Sequence, residues 1–120
     1  MDNLRRLTKI ATALPEATRV DIEAWDGEPT FRVRGKNFVF ADPDGHSLTV
    51  KLPIEEAEAV VATDPTAQPT GYGLGRYGWV SIALVGEESE QRWEQIVEWV
   101  HTSYQLVAPR RLARLLDESP

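Results

Sequence analysis

The stretch from residue 29 to 52, PTFRVRGKNFVFADPDGHSLTVKL, constrains the fold more than any other part of the chain. Three strand-like runs follow one another there, at 30–34, 37–41 and 47–52. Gly35-Lys36 joins the first two and suits a two-residue type II′ turn, because Gly reaches positive φ without steric cost. That turn predicts Arg34 facing Asn37, Val33 facing Phe38, Arg32 facing Val39 and Phe31 facing Phe40. Phe31, Val33, Phe38 and Phe40 then share one face, and Arg32, Arg34, Asn37 and Val39 the other. Asp42-Pro43-Asp44-Gly45 has Pro and Gly where a tight turn needs them, so the chain returns as a third antiparallel strand. Leu48, Val50 and Leu52 extend the apolar face, while Thr49 and Lys51 join the polar one.

The flanking segments supply helices. Leu4, Leu7, Ala11 and Leu14 recur at helical spacing, with Asp2 or Asn3 able to cap and Pro15 to stop the helix. Residues 19–25 alternate as a first strand, with Val20, Ile22 and Ala24 on one side and Asp21, Glu23 and Trp25 on the other. Pro53 opens a second helix whose stripe is Ile54, Ala57, Val60 and Val61. Residues 65–78 read as a long turn-rich loop, and loops of that length in a compact domain are often functional. A fifth strand follows at 79–84, with Val80, Ile82 and Leu84 inward and Trp79, Ser81 and Ala83 on the polar face. Trp93, Ile96, Val97, Val100 and Tyr104 stripe a third helix, and Leu112, Leu115 and Leu116 a short last one. Helices with apolar stripes need one sheet face to cover. The expected fold is therefore α+β, a single domain of 120 residues with a five-stranded, mainly antiparallel sheet and helices packed on one face.

Composition narrows the function classes. The chain has no cysteine, which removes disulfide and thiolate chemistry and suits a reducing cytoplasm. No stretch is apolar enough for a membrane span, and the first residues lack a signal-peptide core. The net charge is -6, from 13 basic and 19 acidic residues, so attraction to phosphate requires a local basic patch.

The order and spacing of several motifs resemble the YjbR/MmcQ-like family. These are Gly27-x-Pro29-Thr-Phe-Arg-Val-x-Gly35-Lys36-x-Phe38, the Asp42-Pro-Asp-Gly turn and Leu48-x-Val-Lys51-Leu-Pro53. Gly78-Trp79-Val80 and Ser103-Tyr104-x-Leu-Val-Ala-Pro109-x-Arg111-Leu112 complete the set. The resemblance implies a two-layer, frataxin-like α/β arrangement in a small bacterial cytoplasmic protein. Family members usually carry a DNA-binding label, and their positive positions correspond here to Arg32, Lys36, Lys51, Arg76 and Arg111. The resemblance carries no catalytic residues.

By alternation the polar sheet face should present Trp25, Arg32, Arg34, Thr49, Lys51, Trp79 and Ser81, with Asp21 and Glu23 at one edge. Aromatic rings interleaved with cations can stack on bases and neutralise phosphates. Acidic residues concentrate on the second and third helices, a segregation that lets a net-negative protein bind an anion. The plainer alternative is a face covered by the 65–78 loop and laced with cross-strand ion pairs. Gly73-Leu-Gly75-Arg76-Tyr77-Gly78 fits G-x-G-x-x-G but lacks the preceding strand and following helix of a dinucleotide site. A loop offering backbone N–H groups with Arg76 and Tyr72 or Tyr77 is the better reading. His46 and His101 lack metal-ligand spacing, and no nucleophile elbow, P-loop or carboxylate pair is recognisable.

The sequence thus points to a non-enzymatic binding protein without cofactor or metal, a monomer or weak dimer. Double-stranded DNA is the partner implied by the resemblance, with Trp25, Arg32, Arg34, Lys36, Lys51, Arg76, Tyr77, Trp79 and Arg111 as contact residues. The alternative partner is a small aromatic metabolite or antibiotic held between the open sheet face and the 65–78 loop. The MmcQ branch takes its name from an antibiotic gene cluster, which suits that alternative.

Overall fold

The computed structural model describes residues 2–118. Its order is α1 (Asn3–Thr12), β1 (Ala17–Ile22), β2 (Glu28–Val33), β3 (Lys36–Ala41), β4 (Ser47–Lys51), α2 (Ile54–Thr63), β5 (Ala67–Pro69), β6 (Trp79–Ala83), α3 (Glu90–Val107) and α4 (Arg110–Glu118). Short 3-10 turns occupy Glu23–Trp25 and Leu74–Tyr77. The strands form one sheet in the order β1-β2-β3-β4-β6-β5, every neighbouring pair antiparallel. The α+β class and the one-sided helix layer are as expected, but the sheet has six strands instead of five. The additional one, β5, lies inside the segment read as loop; three residues ending in Pro69 give almost no strand pattern, and the edge position tolerates the proline.

Helix starts follow their caps. The Asp2 carboxylate accepts the Arg5 N–H at 2.8 Å, and the Ser89 hydroxyl accepts that of Arg92 at 3.1 Å. Leu7 and Ala11 of α1, Ala57 of α2, and Trp93, Ile96, Trp99, Val100 and Tyr104 of α3 are buried against the sheet. Ile54, expected in the α2 stripe, is instead exposed, since it stands at the helix start.

The hairpin differs from its sequence reading in two physical details. The turn is Arg34-Gly35, with φ of +52° and +80°, as a type I′ turn requires, and Val33 faces Lys36. The pairing then slips: Arg32 faces Asn37 but Phe31 faces Val39, leaving Phe38 as an extra, bulged residue. The bulge turns both Phe38 and Val39 to the core, each fully buried, and sends Phe40 to the opposite face. Buried Ser103 of α3 secures it, donating its hydroxyl to the Phe38 carbonyl while accepting the Lys51 N–H at 2.8 Å. Phe38 packs edge-on against Tyr104, ring centroids 5.3 Å apart.

The first strand is also inverted. Val20 and Ile22 face Thr30 and Glu28 on the open side. Arg19 reaches toward α1, donating to the Thr8 hydroxyl at 3.1 Å and pairing with Asp21 at 2.7 Å. Glu23 to Trp25 leaves the strand as a 3-10 turn. On the helix side, Arg92 of α3 binds the Asp64 carboxylate and the Thr66 hydroxyl, each at 2.6 Å, tying the end of α2 to α3.

Candidate functional site

Side chains of directly opposed residues share a sheet face. The register therefore draws one row across the open face: Val20, Thr30, Phe40, Thr49, Ser81 and Gln68. Two residues to one side, the face carries Ile22, Glu28, Ser47 and Ala83; two residues to the other side it carries Thr18, Arg32, Lys51 and Trp79. The face is thus acidic at one end, cationic at the other, and aromatic with hydroxyls between.

The segment after β5 folds back over the acidic half. Thr70 donates its N–H to the Trp79 carbonyl at 3.1 Å, and Gly75 donates to the Thr70 carbonyl at 3.0 Å. Gly78 returns the chain to the sheet with φ of +93°. A Cβ there would stand 2.1 Å from the Leu52 carbonyl oxygen, so only glycine fits. The result is a cavity of about 700 Å³. Trp25, Phe40, Tyr72 and Leu74 form its apolar walls, and Ser47, Thr49, Thr70, Ser81 and Glu28 supply the polar groups.

The hydroxyls form a chain, Thr49 to Ser81 at 3.0 Å and Ser81 to Thr70 at 3.0 Å. Three hydroxyls have three protons and these two bonds use two, so one donor is left for the cavity. Glu28 is half-buried, and among the described residues no ion pair or side-chain hydrogen bond reaches it. Burial first, and the charge of Asp42 second, push its carboxyl above the usual range. Carrying the Thr30–Phe40 register two residues further sets Glu28 opposite that aspartate.

The nine residues singled out from sequence do not gather in one patch. Trp25 lines the cavity and is about half exposed. Trp79 stands behind it, edge-on to Phe40 with centroids 5.4 Å apart. Arg32 and Lys51 occupy the cationic end; the Arg32 Nε donates to the Thr30 hydroxyl at 3.2 Å. Arg34, Lys36 and Arg111 belong to the hairpin tip and α4, where Glu16 binds Arg34 at 2.6 Å and lies 3.8 Å from Arg111. Arg76 stacks on Tyr77 at 5.6 Å and faces a smaller groove beside α2, lined by Ala57, Val61 and Trp79. Sequence reading missed Phe40 and Glu28. Three consecutive apolar residues, Phe38-Val39-Phe40, were the available signal that both faces need apolar cover.

One further cluster lies beside the site. Ligand atoms of Asp42, Asp44 and His46 fall within 4.8 Å of one another. The Asp42 carboxylate already accepts the N–H groups of Asp44 and His46, both at 3.1 Å, and the turn itself accounts for the arrangement.

The sequence model named YjbR matches residues 12–106, most of the chain and all six strands of the sheet. The chain belongs to the YjbR family. A solved structure similar to this YjbR protein is Deinococcus radiodurans protein DR2400, with a DUF419 domain. It aligns at a TM-score of 0.70 and 24% identity, covering 88% of this chain and 78% of that one. At that identity the likeness concerns the fold alone. No curated protein matches the chain. Among the described residues, no helix is long and apolar enough to cross a membrane.

Proposed function

We propose that this YjbR protein is a cytoplasmic, non-enzymatic binding protein for a small aromatic molecule, held in the cavity between the open sheet face and residues 70–74. The cavity itself carries the reading. Its volume of about 700 Å³ lies in the range of sites that enclose small organic ligands, and its apolar walls with a few convergent polar groups are the usual composition of such sites. Trp25, Phe40 and Tyr72 offer ring faces for stacking, and the hydroxyl chain offers a donor to orient a polar substituent.

A duplex DNA partner fits the site less well. Among the described residues, Glu28 is the one charged side chain lining the cavity, and it repels phosphate. Arg34 is already engaged by Glu16, and Arg111 lies close to the same carboxylate. DNA would have to use Arg32 and Lys51 at the far end of the face together with Lys36 at the hairpin tip.

Tryptophan emission separates the two. Trp93 and Trp99 are buried in the core and Trp79 stands behind Phe40 outside the cavity lining, so a ligand in the cavity reports mainly through Trp25. Titration with a panel of small aromatic compounds should shift the emission, and Trp25→Phe should remove most of that shift. A silent panel, or a response unchanged in both Trp25→Phe and Tyr72→Ala, would contradict the proposal. A labelled duplex should not bind at about 50 mM salt. Binding there that collapses at about 200 mM and vanishes in Arg32→Glu or Lys51→Glu would favour DNA instead.

A further inference from the structure

We infer that the ligand of the open-face cavity is an organic cation, an aromatic ring carrying an ammonium group, with Glu28 as its counter-ion. The inference rests on the cavity being the binding site and adds the charge of what it takes.

Three observations lead there. The first is an acid without a partner. Glu28 is half-buried at the cavity wall and Asp42 stands beside it, yet no described cation pairs with it. Arg32, on the same face of the same strand, gives its Nε to Thr30. Partly burying a carboxylate costs free energy unless a donor or a positive charge meets it. An ammonium group entering the cavity would answer Glu28.

The second is the wall chemistry. Trp25, Phe40 and Tyr72 line the same cavity as the acid. Aromatic faces carry negative quadrupoles and attract a cation within about 6 Å of the ring centroid. Rings and carboxylate therefore favour the same charge, and both disfavour an anion.

The third is the number of acids. Among the described residues Glu28 is the one acid lining the cavity, whereas a divalent metal asks for several oxygen ligands. Asp42 is occupied by two backbone N–H groups in its own turn. One carboxylate, rings and hydroxyls suit a monovalent organic cation.

Three compounds of one shape isolate the charge: 2-phenylethylamine, 2-phenylethanol and phenylacetate, titrated into the full chain at pH 7 and followed by the Trp25 indole N–H resonance. The amine should bind about ten-fold or more tighter than the alcohol, the scale of one charge-assisted contact, and phenylacetate should bind weakest. Glu28→Gln should erase the preference by weakening the amine to the level of the alcohol, and a thermal unfolding transition no lower than the parent's certifies the fold of the variant. Glu55→Gln, an acid on α2, should leave the preference intact. Equal affinities for amine and alcohol would overturn the cation inference and leave the cavity reading standing. A preference that falls equally in Glu55→Gln would also overturn it, by tracing the effect to net charge. If none of the three moves the Trp25 signal, cavity and cation fail together.

Discussion

The two faces of this sheet are made by alternate residues of the same strands, and they do opposite things. On the helix side, Phe31, Val39, Val50 and Val80 form a row across the four central strands, and all are buried to within 1%. On the open side the neighbouring row is Thr30, Phe40, Thr49 and Ser81, aromatic and hydroxylic, with an acid at one end and cations at the other. Buried apolar area stabilises the fold through the first row. The second row has no helix to cover it; Thr30 is buried with its hydroxyl on the Val20 carbonyl, and Phe40, Thr49 and Ser81 line the cavity where a ligand would touch them. A single strand thus separates stability from recognition by its period of two.

The largest effect expected from that division lies on the helix side. Phe38→Ala removes the ring packed against Tyr104 at the bulge and should cost about 3–5 kcal/mol in urea unfolding, as large-to-small core changes do. A loss under about 1 kcal/mol would mean that the core does not depend on the bulge.

Acid should act on the faces with opposite signs. Burial works against the Asp64 charge, but the Arg92 guanidinium and the Thr66 hydroxyl and N–H outweigh it and hold the carboxyl at about 2, below its ordinary 3.8. A carboxylate depressed in the folded state contributes stability above its unfolded pKa and loses it as pH falls through the folded one. Between about pH 4 and pH 2 the helix side should therefore lose on the order of 2 kcal/mol, and Asp64→Asn should flatten that part of the curve. Glu28 is shifted the other way, so its charge opposes folding at neutral pH. Glu28→Gln should raise the melting temperature slightly at pH 7 and have no effect once the carboxyl is protonated.

The smallest stability effect should come from the open side. Trp25 is about half exposed, so Trp25→Ala should change stability by within about 0.5 kcal/mol while weakening aromatic ligands several-fold. A large loss of stability would show that this residue belongs to the core after all.

Much of the fold is legible locally. The cap at Asp2, the stripe Trp93, Ile96, Val100 and Tyr104, and the alternation Val80, Ile82 and Leu84 all report their elements within a few residues, and the stripe and the alternation are buried as expected. What escapes is set by partners far away in sequence. The slip at Phe38 depends on Ser103, whose hydroxyl satisfies a carbonyl that no strand neighbour meets; the run Phe38-Val39-Phe40 hints that both faces need apolar cover but does not say where the register shifts. That slip decides which way Phe40 points, and with it one wall of the cavity. The inversion of β1 likewise follows from Thr8 and Asp21 holding Arg19 on the helix side, against the expectation that Val20 and Ile22 seek the core. Trp25 and Tyr72 were legible as aromatic residues in turn-rich segments. Glu28 was not, because a lone acid beside a turn is ordinary until its partners are counted.

The most direct test of the open-face account is a backbone amide shift map of the full chain titrated with 2-phenylethylamine. The account predicts shifts gathered at Trp25, Glu28, Phe40, Thr49, Tyr72 and Ser81, with α3 unmoved. Shifts confined to Arg34, Lys36 and Arg111, or scattered along the acidic helices, would contradict it.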